Sequence, residues 1–236
     1  LALPIVRDHH EADLSSRIQV ELGKIYQYRG DDLQAMELFN EAIEAAETIE
    51  NYRLIGTSYS LIGNIYRVLG AYDEALESII KAKSNYQLAN FEEGEAWVSY
   101  SLGRLYRGLG IYEEAEASFN ESLIMYNSLA EVGGDSTGIA LCLDQLGLLY
   151  IAKKMPHMAI PFFRRSLDIY TGNNSFYGIS NAWKNLGKAE FAQGNYSEAR
   201  SLLNNSLNYK YRAKDALGIP GIYDFLGLVL IAEDHW

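Results

Sequence analysis

The chain has 236 residues, 48% hydrophobic and 22% charged, with a net charge of −11 from 31 acidic and 20 basic residues. That balance supplies a sizeable core and excludes a generally basic surface for nucleic acid or anionic membrane. A single cysteine, Cys142, excludes an intrachain disulfide, and no apolar run approaches the roughly 18 residues of a spanning helix.

The opening LALPIV is short and lacks a basic leader, so a cytoplasmic protein is expected. Four prolines in the whole chain and helix-favouring stretches throughout predict an all-α fold. Residues 1–11 read as a lead-in. It carries His9 and His10 beside Asp8, Glu11 and Asp13; adjacent histidines splay apart on a helix, so a solvated helix start is expected and not a metal site.

A repeat then sets in. Its core reads LGKIY at 22–26, IGNIY at 62–66, LGRLY at 102–106, LGLLY at 146–150, LGKAE at 186–190 and LGLVL at 226–230. Twelve residues after the glycine stands Ala35, Ala75, Ala115, Ala159 or Ala199. A large apolar residue follows four later (Phe39, Ile79, Phe119, Phe163, Leu203), then a small one three later (Ala42, Ala82, Ser122, Ser166, Ser206). Such recurrence is the signature of a solenoid. Units are expected at 12–50, 51–90, 91–133, 134–174 and 175–214, with 215–236 the first helix of a truncated sixth.

Within a unit, the Leu and Tyr of the first segment share one helical face, as do the Ala, the large apolar residue and the small residue of the second. Between them lie GDD at 30–32, GAY at 70–72, GIY at 110–112 and GNY at 194–196, where glycine suits a left-handed helix end. Each unit is therefore an antiparallel hairpin of helices A and B. Glycine costs about 1 kcal/mol in a helix relative to alanine; Gly103 and Ala115 are expected to offset it as the close crossing point of the pair. Ser122 is expected to bond back to its own preceding turn.

The fourth unit is irregular. SLAEVGGDSTG at 128–138 adds four residues with a Gly133-Gly134 turn, and KKMPHMAIP replaces the turn glycine by Lys154. Pro156 fits a first helical turn, whereas Pro161 is expected to kink or loosen its helix. In the sixth unit Leu226, Leu228, Val229 and Leu230 are expected to expose apolar surface, a route to self-association.

These residues resemble the tetratricopeptide repeat, whose Leu-Gly, Tyr, Ala, Phe, Ala pattern they match over about 12–233. The resemblance implies an all-α, right-handed superhelical solenoid of hairpins. The usual unit is about 34 residues, and its closing proline is missing. Forty-residue units with Gly94, Gly138, Gly178 and Gly218 ahead of helix A, and Ile62-Gly63-Asn64 itself, are more similar to the Leu-Gly-Asn subgroup.

Catalysis is not expected: no zinc-spaced cysteines, phosphate-binding glycine loop or nucleophilic triad is visible, and His157 and His235 are isolated. No cofactor is implied. Acidic pairs such as Glu113-Glu114 suit the start of helix B.

The resemblance places the concave groove six and three residues before the motif glycine and one and four after it. Those 24 positions hold seven basic and two acidic residues (Asp144, Asp224), a surplus of five positive charges in a chain of −11. The candidate groove residues are Arg17, Lys24, Asn64, Arg67, Trp97, Tyr100, Arg104, Arg107, Lys184 and Lys188. Arginine forks suit carboxylates, and Trp97 with Tyr100 offers an aromatic platform. In the Leu-Gly-Asn subgroup, Asn and Arg at such positions hold acidic extended peptides, which carries over to Asn64, Arg67, Arg104 and Arg107. The expected function is a protein-interaction scaffold for an acidic or amphipathic peptide. The alternative is a regulatory arm of a larger signalling protein that binds a small anionic ligand or autoinhibits a fused domain, with Leu141, Leu148 and Ile151 as its apolar groove.

Overall fold

The computed structural model describes residues 2–216 and 218–234; His235 lies outside them. The described residues form eleven α-helices and no strand: α1 (Ala2–Arg29), α2 (Asp32–Glu47), α3 (Tyr52–Leu69), α4 (Tyr72–Leu88), α5 (Glu92–Leu109), α6 (Tyr112–Glu131), α7 (Thr137–Ala152), α8 (Pro156–Gly172), α9 (Phe176–Ala192), α10 (Tyr196–Ala213) and α11 (Ile219–Asp234). The chain divides into two compact units within α6, Leu1–Met125 and Tyr126–Trp236. Each is built of helices packed against their sequence neighbours, α1 on α2 and α3 on α4 in the first, α7 on α8 and α9 on α10 in the second.

The A-to-B turns share one geometry. Gly110 has φ of +77° and the Ile111 N–H bonds the Tyr106 carbonyl at 2.9 Å. Lys154 adopts the same left-handed conformation, φ +60°, with the Met155 N–H on the Tyr150 carbonyl at 2.9 Å, so the fourth turn keeps its shape without glycine. The return turns are left-handed too, through Glu50, Asn90, Asn174 and Lys214. Asp31, Asn51 and Ser175 cap the helices that follow them. Pro161 does not end α8, which runs unbroken to Gly172; the buried face of Ala159, Phe163, Ser166 and Tyr170 holds it in place.

The motif glycine is a notch for a side chain. A Cβ on Gly103 would lie 2.6 Å from Cδ1 of Phe119, so the ring of Phe119, rather than Ala115, fills the crossing point. Phe39 covers Gly23 and Phe163 covers Gly147 in the same way. Where Ile79 and Leu203 replace the ring, the carbonyl oxygens of Ala75 and Ala199 come to 3.3 and 3.2 Å of the Cβ positions of Gly63 and Gly187, and there the backbones themselves are close.

A second notch joins each hairpin to the next helix. Gly94, Gly138 and Gly178 lie in the first turns of α5, α7 and α9, covered by the buried rings of Tyr86, Tyr126 and Tyr170. A Cβ on Gly94 would lie 2.5 Å from Cγ of Tyr86. At the corresponding step between α2 and α3 the sizes are reversed: Ala46 packs with Leu54 in one apolar cluster. At the last step Lys210 takes the tyrosine's place over Gly218.

Where the small residue of helix B is serine, its hydroxyl bonds between helices. Ser122 donates across to the Ala96 carbonyl at 2.7 Å, and Ser206 donates to the Ser180 carbonyl at 2.8 Å. In α11, Leu226 and Val229 are buried, with Ile222, against Leu203 and Leu207, contrary to the expectation of exposure; their three-residue spacing turns them to α10. Leu228 and Leu230 stay about half exposed, at 51% and 47%.

Size complementarity at the second notch is testable by a double-mutant cycle. Tyr86→Ala is expected to cost about 3 kcal/mol and Gly94→Leu about 2 kcal/mol. The double variant should lose less than the sum by at least about 1 kcal/mol, measured by urea unfolding. Strict additivity would show that ring and notch are not coupled.

Candidate functional site

In the first unit, α3 supplies Asn64 and Arg67, and α5 supplies Trp97, Tyr100, Arg104 and Arg107 at spacings of three and four that put them on one face. One and four residues past the notch glycine, Arg104 and Arg107 flank the packed seam. All three arginines are half-buried as a result. Burial first, and then the charges of Arg104 and Arg107, lower the pKa of Arg67 from the usual guanidinium range to about 10. Burial and then Arg104 lower that of Arg107.

The remaining contacts orient the cluster. Arg67 Nη2 donates to Asn64 Oδ1 at 3.0 Å. The Arg104 guanidinium lies 5.6 Å from the Tyr100 ring centroid, and its Nε is buried without a hydrogen-bond partner. Trp97 stacks on Tyr100 with centroids 4.9 Å apart. Tyr100 is only 4% exposed and leans on Phe119, so it backs Trp97 and offers no face of its own. Cations gathered with partial desolvation favour an anion that can accept their donors.

Arg17 and Lys24 are not part of this cluster. They stand on α1, paired with acids of the same helix: Arg17 Nε to Asp13 Oδ2 at 3.0 Å and Lys24 Nζ to Glu21 Oε1 at 2.7 Å. Lys184 and Lys188 belong to the second unit, where Lys188 Nζ lies 5.5 Å from the Phe225 ring centroid.

The second unit has a cavity of about 340 Å³ between α7, α8 and α9. Asp144, 6% exposed, lines it; Oδ1 accepts from Ser166 at 2.6 Å and Oδ2 from Tyr170 at 3.1 Å. Burial raises the Asp144 pKa from 3.8 to about 6, against the pull of those bonds and of Lys184. Lys184 shares the cavity and donates to Asn181 at 3.1 Å; burial, then Lys188 and Lys210, lower its pKa from 10.5 to about 8. Behind the wall, Lys210 is 2% exposed, with Nζ 2.6 Å from Asp215 Oδ2 and 4.2 Å from the Tyr177 ring centroid. Tyr170, Tyr177, Asn185 and Lys210 are functional candidates that groove positions alone do not reveal. The one signal in the sequence is Lys210, which breaks the register of Tyr86, Tyr126 and Tyr170.

The tetratricopeptide repeat family matches residues 54–128, and again 16–49 and 141–173, together more than half of the chain. The chain belongs to the tetratricopeptide repeat family. These repeats are protein-interaction modules. Similar solved folds include BtubC from P. vanneervenii, at 22% identity, with 89% of this chain and 92% of that one covered and a TM-score of 0.63. Aspartyl phosphate phosphatase F from Bacillus subtilis is similar at 15% identity over 99% and 60%, with a TM-score of 0.75. A Rap protein in complex with competence and sporulation factor is similar at 13% over 89% and 57%, with a TM-score of 0.78. This repeat array thus spans less than two thirds of the last two chains. No curated protein matches it. Among the described residues, no His, Cys, Asp and Glu group is placed to hold a metal, and no helix is long and apolar enough to cross a membrane.

Because the Asp144 pKa is raised, the folded protein holds that proton to higher pH than the unfolded chain. The associated stability is full below the unfolded value of 3.8 and is lost as pH rises through about 6. Asp144→Asn removes this dependence. The stability difference between variant and wild type should move in the variant's favour by roughly 2 kcal/mol from pH 4.5 to 7.5, measured by urea unfolding at both values. A constant difference would place Asp144 in solvent-like surroundings.

Proposed function

We propose that the first unit captures an acidic, extended peptide segment on Arg67, Arg104 and Arg107, and that the protein works as an interaction scaffold and not as an enzyme. The observation that carries this reading is the cluster itself: three guanidiniums gather half-buried, burial and then the neighbouring arginines lower the pKa values of Arg67 and Arg107, and Arg104 Nε is buried without an acceptor. Carboxylates would supply both the acceptors and the charge. Asn64, already held to Arg67, is placed beside them for a main-chain amide, and Trp97 for an apolar side chain. Arg17 and Lys24 serve as outer, already neutralised positions, and Lys184 and Lys188 occupy the matching helix A positions of the second unit. The forty-residue spacing and Ile62-Gly63-Asn64 support kinship with the Leu-Gly-Asn subgroup. The partner is a protein or peptide, not nucleic acid or membrane, and the cytoplasm is the compartment proposed. Exposed Leu228 and Leu230 keep self-association through α11 within this reading.

The test is fluorescence anisotropy with a labelled twelve-residue peptide alternating Glu and Leu, against its Gln-for-Glu counterpart. Wild type should bind the acidic peptide at least about tenfold more tightly, and Arg104→Glu with Arg107→Glu, folded by circular dichroism, should lose that preference. Equal binding of both peptides, or undiminished binding by the double variant, would overturn the assignment.

A further inference from the structure

The cavity of the second unit is unlike the arginine cluster. It presents two charges of opposite sign, both largely buried, on facing helices. Buried opposite charges with only a structural role usually meet in a direct pair, since desolvation is repaid only by close contact. Asp144 and Lys184 do not pair. Each is held by neutral groups instead: Asp144 by the hydroxyls of Ser166 and Tyr170, Lys184 by the Asn181 amide oxygen. Each carboxylate oxygen takes one hydroxyl proton and keeps further acceptor capacity, and the ammonium spends one of its three donors. The two groups are coupled through the cavity, each favouring the charge of the other.

The walls complete the picture. Leu141 and Leu148 line one side and Tyr177 another, while Asn185 adds an amide. Lys210, on the Tyr177 ring and on Asp215, braces the aromatic wall. The volume of about 340 Å³ is at the small end of ligand pockets, which run from about 300 to 1,000 Å³.

We propose that this cavity is a second binding site, for a small zwitterion of the α-amino-acid class, with its ammonium on Asp144, its carboxylate on Lys184 and an apolar side chain between Leu141 and Leu148. The charge pair explains why both groups stay apart: the ligand bridges them. Such charges occur on a free amino acid or at the two ends of a very short peptide. The site is independent of the acidic-peptide reading of the first unit.

Isothermal titration calorimetry with the twenty L-amino acids, tested singly, decides it, with leucine the first choice. Leucine is expected to bind with a stoichiometry near one. Leucinamide, which lacks the carboxylate, and N-acetyl-leucine, which lacks the ammonium, should each bind at least about tenfold more weakly. Asp144→Asn and Lys184→Met should lose binding, while Arg104→Glu with Arg107→Glu should retain it, which separates this site from the first. Binding of the dipeptide Leu-Leu without leucine would support the same charge pair with a peptide as its source. Absence of binding by every amino acid and by Leu-Leu, or full binding by either blocked leucine, overturns the proposal. The blocked ligands are tested on the unaltered chain, so a variant that fails to fold leaves the decision intact.

Discussion

The seating of a side chain in a glycine notch is the constraint on which the rest of the molecule depends. Helices A and B can approach only where Gly103 leaves room for Phe119, and the next helix can dock only where Gly94 leaves room for Tyr86. Both contacts are steric, so they fix the rotation of each A helix about its own axis. Once that rotation is set, residues one and four past the glycine lie on the flank of the seam. Arg104 and Arg107 are half-buried for this reason, and their burial is what makes their charges costly and therefore useful.

The two units handle buried charge in opposite ways. In the first, like charges gather, and the groups that favour them nearby are tyrosines such as Tyr100 and Tyr72. In the second, Asp144 and Lys184 are of opposite sign yet held apart by hydroxyls and an amide. The same scaffold position, one turn before the motif glycine, carries Tyr100 in one array and Asp144 in the other. A repeat fold allows this because the notch residues hold the geometry and leave the adjoining face free to vary.

The tyrosine register also shows how the array tolerates change. Ala46 with Leu54 reverses the large and small partners of Tyr86 with Gly94, and the step remains packed. Lys210 over Gly218 fills the same volume with a flexible chain, but its ammonium needs Asp215 and the Tyr177 ring. That substitution places a buried cation behind the cavity, so a packing choice becomes an electrostatic one.

Sequence alone determined the hairpin array, the turn glycines and the basic bias of the helix A positions around the motif glycine, because each is a periodic or local property: a glycine at fixed spacing, an apolar face, a count of charges. Tertiary structure decided what single positions do. Lys154 takes a left-handed turn that its residue type disfavours, since the surrounding contacts set the backbone there. Phe119 displaces Ala115 from the notch, and Ser122 bonds across to Ala96, because side-chain reach depends on where the partner helix lies. Tyr100 turns inward beneath Trp97 for the same reason. The cavity around Asp144 and Lys184 is the furthest from legible: its residues come from three helices, and only their packing brings 26 residues of separation, Asp144 to Tyr170, to a hydrogen bond.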